Sequence, residues 1–172
     1  ARINRAVSTM NSGPARKPAN RQQREEIMRA IFIDFDGVLH PAGGPAGSCL
    51  PFEWLSDLAV ILSTHPAIRI VVHSSWHLTY PHEEIREFLS ALSAHEIDIV
   101  GPGEKLQAIT AYRSAHPEIE RGLVIDDEPS EFPAGFPLQV VACDPATGIS
   151  CQHVKSQVTA WLDHTNTHPS GC

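Results

Sequence analysis

Five short runs rich in apolar residues alternate along this chain with stretches whose apolar residues recur at helical spacing. No other feature constrains the fold as much. The runs are residues 30–35 (AIFIDF), 67–75 (AIRIVVHSS), 97–101 (IDIVG), 121–127 (RGLVIDD) and 137–144 (PLQVVACD). Between them, residues 51–65 place Phe52, Leu55, Leu58, Ala59 and Leu62 on one helical face. Residues 81–95 open with Pro81, Glu83 and Glu84, which suit a helix N-terminus, and continue with Ile85, Phe88, Leu89 and Leu92. Residues 104–116 turn Leu106, Ile109 and Tyr112 inward, and residues 150–165 form a closing helix. Nearly continuous apolar strands are those covered on both faces. Strands separated by helices predict an α/β chain with a five-stranded parallel sheet and helices on both sides, a three-layer sandwich.

Two of these strands end in acidic pairs. Asp34 and Asp36 follow the first, and Asp126 and Asp127 follow the fourth. Ser74 and Ser75 end the second, and Lys105 sits at the start of the helix after the third. In open parallel sheets, ligands bind beyond the carboxyl ends of the strands, near the switch point. A sheet that joins those ends gathers carboxylates, hydroxyls and one ammonium in a single cleft. Like charges so close together repel, and a hard divalent cation offsets this most simply. Oxygen-only ligation with an open position for phosphate is the habit of Mg²⁺. Mg²⁺ is therefore the expected cofactor. Each residue also has a plainer reading. Asp34 and Asp36 could end a strand in an Asp-Gly turn, Asp127 could cap a helix, Lys105 could be a solvated helix residue, and Trp76 could belong to the core.

The elements DFDGVL, strand-end VVHSS, a helix-initial Lys and VIDDE, in that chain order, resemble the four motifs of the haloacid dehalogenase-like (HAD) superfamily. The resemblance runs from about Ile31 to about Pro145. More narrowly, DGVLHP, SSW and IDDE resemble a group of small members linked to RNA-repair proteins. The resemblance implies a Rossmann-like fold and a phosphohydrolase domain over residues 28–172. It implies Asp34 as nucleophile, forming an aspartyl-phosphate, and Asp36 as general acid and then base. Asp36 would also give its backbone carbonyl to the metal. Ser74 would bind phosphoryl oxygens, with Ser75 as the alternative hydroxyl and Gly37 beside them in the substrate-binding set. Lys105 would neutralise charge on nucleophile and phosphate, and Asp126 with Asp127 would complete the metal shell. One departure stands out: the subgroup's pattern has Arg after SSW, where this chain has His77. Histidine holds phosphate more weakly and mainly when protonated. Glu128 and Glu131 make the acidic end busier than metal binding requires.

Superfamily members with enclosed sites insert a cap after the first or third strand. The segment 37–68 holds a Gly/Pro-rich loop (HPAGGPAGSC) and one helix, and the segment 76–105 one helix and one short strand, so no cap domain is expected. The open site suits large or macromolecular phosphorylated substrates, and the loop could serve as a short flap. Residues 1–27 read as a flexible basic tail with few large apolar side chains. Residues 1–29 carry a net +5 and the remainder −12, within a total of −7. The tail favours a nucleic-acid end-processing phosphatase, whereas the acidic body opposes it, because nucleic-acid grooves are usually positive. A non-catalytic phosphate-binding module is the other rival, although it would not need a general acid. The four cysteines show no zinc spacing, and they read as free thiols. The pairs His73/His77 and His164/His168 lack the helical context of a zinc site. No signal segment or bilayer-length apolar run is present, so a cytoplasmic protein with no membrane partner is expected.

Overall fold

The computed structural model describes residues 27–43, 50–101 and 103–164. The expected tail lies outside the described residues apart from Ile27, as do residues 44–49 of the expected flap, His168, Cys49 and Cys172. The strands are β1 (Met28–Ile33), β2 (Ile68–Val72), β3 (Ile97–Ile99), β4 (Ile119–Asp126) and β5 (Gln139–Ala142), and the helices are α1 (Leu55–Leu62), α2 (His82–Phe88), α3 (Lys105–Ala115) and α4 (Gln152–Asp163). All strand pairs are parallel, in the order β3-β2-β1-β4-β5. The chain is a Rossmann-like α/β three-layer sandwich, and neither connection expected to hold a cap contains one among the described residues.

Alternation along β1 builds both cores. Ile31 and Ile33 point into one, with Leu58 of α1, Ile85 of α2 and Val158 of α4. Ala30 and Phe32 point into the other, with Ile109 of α3 and Phe132 and Leu138 from the β4–β5 connection. Each fully buried Leu, Ile or Phe contributes about 1.5–3 kcal/mol relative to exposure, and the central strand contributes to both faces. Connections of one hand that travel in opposite directions along a sheet must lie on opposite faces. Accordingly, α1 and α2, which serve β1 to β3, lie on one side, and α3, which returns to β4, lies on the other. The direction reverses between β1 and β4. That gap is the switch point.

Two helices are shorter than their apolar periods suggest. Phe52 takes φ 59° and sits in a turn, so α1 begins only at Leu55. After α2 the chain tightens into a 3-10 turn at Ser90–Leu92, which still buries Leu89 and Leu92 in the same core. At the far end of the sandwich, Arg29 of β1 donates to the carbonyl of Leu162 at 2.6 Å, and Arg121 of β4 donates to that of His164. Both guanidinium groups also lie over the Trp161 ring. Two cations thus meet the carbonyl end of α4, where the helix dipole favours them.

Candidate active site

Register explains which side chains meet at the switch point. The last row shared by the three central strands is Val72–Ile33–Ile125, and all three side chains enter the core under α1 and α4. One residue further, the Asp34 N–H donates to the Ile125 carbonyl at 3.2 Å and the His73 N–H to the Ile33 carbonyl at 3.0 Å. A strand reverses face at every residue. Asp34, His73 and Asp126 therefore turn to the side of α3, whose first residue is Lys105. All three are buried, with relative exposures of 5%, 3% and 0%.

The Lys105 ammonium joins them. Its Nζ lies 2.6 Å from Asp34 Oδ2, 3.1 Å from Asp126 Oδ2 and 3.3 Å from Glu131 Oε2. Asp34 Oδ1 accepts from the Phe35 N–H at 2.7 Å, and Asp126 Oδ1 accepts from the Glu128 N–H at 2.8 Å. His73 Nε2 is 2.8 Å from Asp126 Oδ2, so that nitrogen carries a proton and donates it to the hydrogen bond. His73 Nδ1 is buried without a partner. Burial works against the charge on Lys105, but Asp34 and Asp126 outweigh it and hold the ammonium well above its ordinary range. Burial likewise raises Asp126, and the His73 hydrogen bond, the Glu128 N–H and Lys105 reverse this and leave its carboxyl below the ordinary value. Asp127 is pushed up, first by burial and then by the charges of Asp34 and Asp126. Negative charge at this edge is not fully compensated by Lys105.

Asp127 also meets Gly37. That glycine has φ 67°, and a Cβ on it would lie 2.2 Å from Asp127 Oδ2. Only glycine lets the β1 loop pass so close to the end of β4.

Asp36 points elsewhere. Its Oδ2 accepts from Trp76 Nε1 at 2.9 Å, and its Oδ1 lies 3.0 Å from His40 Nε2. Ser74 is fully buried and starts the 3-10 turn Ser75–Leu78, its side chain accepting from the Trp76 N–H at 3.5 Å. His77 Nδ1 donates to the Ser74 carbonyl at 2.6 Å, which leaves His77 Nε2 buried and unpartnered. Ser75 is exposed. Of the residues the sequence singles out, Asp34, Lys105 and Asp126 are in mutual contact, Asp127 and Gly37 flank them, and the Asp36 carboxylate is held apart by two rings.

A divalent cation suits this donor set. Asp34, His73 and Asp126 each offer a ligand atom within 4.8 Å of the others, and the group is buried. Sequence alone sets His73 aside as a ligand and gives it no place in the site. Its position directly before Ser74, in the strand-end row that also holds Asp34 and Asp126, is the signal that could have found it. His40 is likewise missed, since only the folded loop shows that it meets Asp36. Glu131, superfluous by sequence, is a Lys105 partner.

No curated protein sequence matches the chain significantly. A solved structure described as a probable YrbI-family phosphatase from Pseudomonas syringae pv. phaseolica 1448a is similar at 14% identity with a TM-score of 0.41, covering 80% of this chain and 89% of that chain. The family described as the HAD domain in Swiss Army Knife RNA repair proteins matches residues 30–154. With its switch-point aspartates, helix-initial lysine and five-stranded parallel sheet all inside the matched region, the chain belongs to this family of HAD domains.

Proposed function

We propose that this domain is a Mg²⁺-dependent phosphatase that works through an aspartyl-phosphate on Asp34 in an open, capless site. The observation that carries the reading is the Asp34 carboxylate at the switch point, buried and held at 2.6 Å by Lys105. Asp34 Oδ1 accepts from the Phe35 N–H and Oδ2 meets the ammonium, so the group has a fixed orientation toward an incoming phosphorus. Attack by a carboxylate oxygen forms the P–O bond to Asp34 as the ester oxygen leaves, and Asp36 gives that oxygen a proton. Asp36, now a carboxylate, then takes a proton from the water that releases phosphate and restores Asp34. Lys105 offsets the charge that accumulates on the transferring group. Ser74, with Ser75 as the alternative, and Gly37 would contact the phosphoryl oxygens.

The Asp34 and Asp126 carboxylates would hold Mg²⁺, with the Asp36 carbonyl and Asp127 completing its shell. When bound, the ion supplies charge neutralisation between the anionic nucleophile and the phosphate. His73 keeps Asp126 in place from behind.

The family description favours one substrate class, the terminal phosphates of RNA. The open site suits a polymer end. The net charge of −12 on residues 30–172 argues against extensive backbone contacts and for recognition of the end alone. A non-catalytic module is disfavoured because Lys105, Asp34 and Asp126 are assembled in contact, with Asp36 nearby on the same loop. The proposed soluble, cytoplasmic setting is supported only by the finding that no described helix is long and apolar enough to cross a membrane. Residues 1–27 are proposed as a separate basic tail ahead of the domain.

The test is a phosphatase screen with and without Mg²⁺ over RNA and DNA ends, nucleotides, phosphopeptides and sugar phosphates, with Asp34→Asn as control. Metal-dependent turnover that Asp34→Asn abolishes is expected. No turnover on any substrate with Mg²⁺, Mn²⁺ or Co²⁺ would overturn the reading.

A further inference from the structure

The Asp36 side chain is 48% exposed, yet both of its oxygens are engaged by ring nitrogens. Trp76 Nε1 can only donate, so at 2.9 Å it gives its proton to Oδ2. His40 Nδ1 accepts from the Phe52 N–H at 3.4 Å, which leaves the proton of the neutral ring on Nε2. His40 Nε2 therefore donates to Oδ1 at 3.0 Å. Two separate donors on one carboxylate fix both of its side-chain torsions.

The rings that carry these donors are themselves held. Trp76 stacks on Tyr80 at 5.2 Å between centroids and meets the edges or faces of Phe52 at 5.2 Å, His40 at 5.4 Å, Phe35 at 5.8 Å and Phe88 at 6.0 Å. The His40 side chain is only 6% exposed. A half-exposed aspartate in a Gly-adjacent loop would otherwise sample several rotamers, and general acid–base chemistry requires one. We infer that Trp76 and His40 are positioning residues that hold the Asp36 carboxylate at one angle through two N–H donors anchored in an aromatic cluster. This inference rests on the acid–base role of Asp36 proposed above. It also gives the SSW and HP segments a physical role, since each presents one ring donor to the second aspartate of DFD.

The test compares the parent, Trp76→Phe, Asp36→Asn and the double variant on an alkyl and an aryl phosphate with Mg²⁺. Trp76→Phe keeps the ring and removes the donor. It is expected to lower kcat on the alkyl ester by about ten-fold or more, within the range that acid–base positioning commands, with KM little changed and a smaller loss on the aryl ester. In the Asp36→Asn background the same change should cost nothing further. An equal loss in both backgrounds, or no loss in either, would overturn the inference. If Trp76→Phe does not fold, the His40 pair decides: His40→Gln retains an N–H and should keep most of kcat, His40→Phe should not, and equal rates would count against the clamp. A parent inactive on every phosphate ester would remove the phosphatase reading instead. The clamp itself is then read without turnover. Asp36→Ala should shift the one indole N–H resonance that disappears in Trp76→Phe, and an unshifted resonance would show that no such hydrogen bond exists.

Discussion

Lys105 Nζ lies 2.6 Å from Asp34 Oδ2 and 3.1 Å from Asp126 Oδ2, so one ammonium separates two buried carboxylates. Two such charges about 4 Å apart at an effective dielectric near 20 would repel by roughly 4 kcal/mol without it. Lys105→Met should therefore destabilise the domain by about 3–5 kcal/mol, the usual cost of breaking a buried ion pair. Added Mg²⁺ should recover part of this, while turnover stays reduced by about a hundred-fold or more. Melting curves with and without Mg²⁺, together with kcat, check both. A variant as stable as the parent without metal would show that the aspartates do not need this cation.

Asp34→Asn should abolish turnover and leave the fold intact. An amide oxygen is a poor nucleophile toward phosphorus, whereas the Phe35 N–H and Lys105 can still be satisfied by the amide oxygen. Circular dichroism and a phosphate-release assay distinguish loss of chemistry from loss of structure. Retention of near-parent turnover in a folded protein would remove Asp34 from the mechanism.

Mg²⁺ should stabilise the parent by about 2.7 kcal/mol at roughly a hundred times its dissociation constant, because it binds the folded state. Asp126→Ala should lose that gain. The uncompensated charge that pushes Asp127 upward is the reason a cation is wanted here. The variant also strands His73, whose Nε2–H loses its acceptor, so its metal-free melting point reports the balance of one repulsion relieved and one hydrogen bond lost. Melting temperature against Mg²⁺ concentration for both proteins is the measurement.

Cys143 gives a pH prediction. Its thiol is buried beside the site, and burial first, then the charges of Asp126 and Asp127, push it up to about 12 from an ordinary value of 9.0. Below about pH 9 the folded and unfolded states both keep this proton. Above it the unfolded chain gives the proton up while the folded chain retains it, so stability falls as pH rises toward 12. The full window corresponds to roughly 4 kcal/mol at about 1.4 kcal/mol per unit. Cys143→Ala should flatten that alkaline decline in denaturant titrations at pH 8–11. In the folded parent, Cys143 should also resist maleimide at pH 8. A parent and variant that decline in parallel would show that Cys143 titrates normally.

Gly37→Ala should disturb the site through geometry alone. The added Cβ would lie 2.2 Å from Asp127 Oδ2, at a φ of 67° that alanine adopts at a cost of about 1 kcal/mol or more. Asp127 or the β1 loop must move. A loss of stability of about 1–3 kcal/mol and weaker Mg²⁺ stabilisation are expected, read from the same melting series. Unchanged Mg²⁺ stabilisation would separate Asp127 from the metal shell.

The sequence by itself determined the elements and their kind. Apolar runs such as AIFI and LVI can only be central strands when helical periods separate them, and the acidic ends of β1 and β4 follow from where those runs stop. Asp34, Asp126 and Lys105 could be named as neighbours because a parallel sheet with its switch point between β1 and β4 leaves their strand ends side by side. Register was a different matter. His73 enters the site because it stands one residue past Val72 in the same row as Asp34 and Asp126, and a shift of one residue would have sent it into the opposite core. The partners of Asp36 were also beyond sequence reading, since His40 and Trp76 converge on it only when the β1 loop folds against the 3-10 turn after β2. Periodicity is a property of one segment, legible one window at a time. Which side chains touch depends on how separate segments are placed against each other, and that information resides in the packed interfaces.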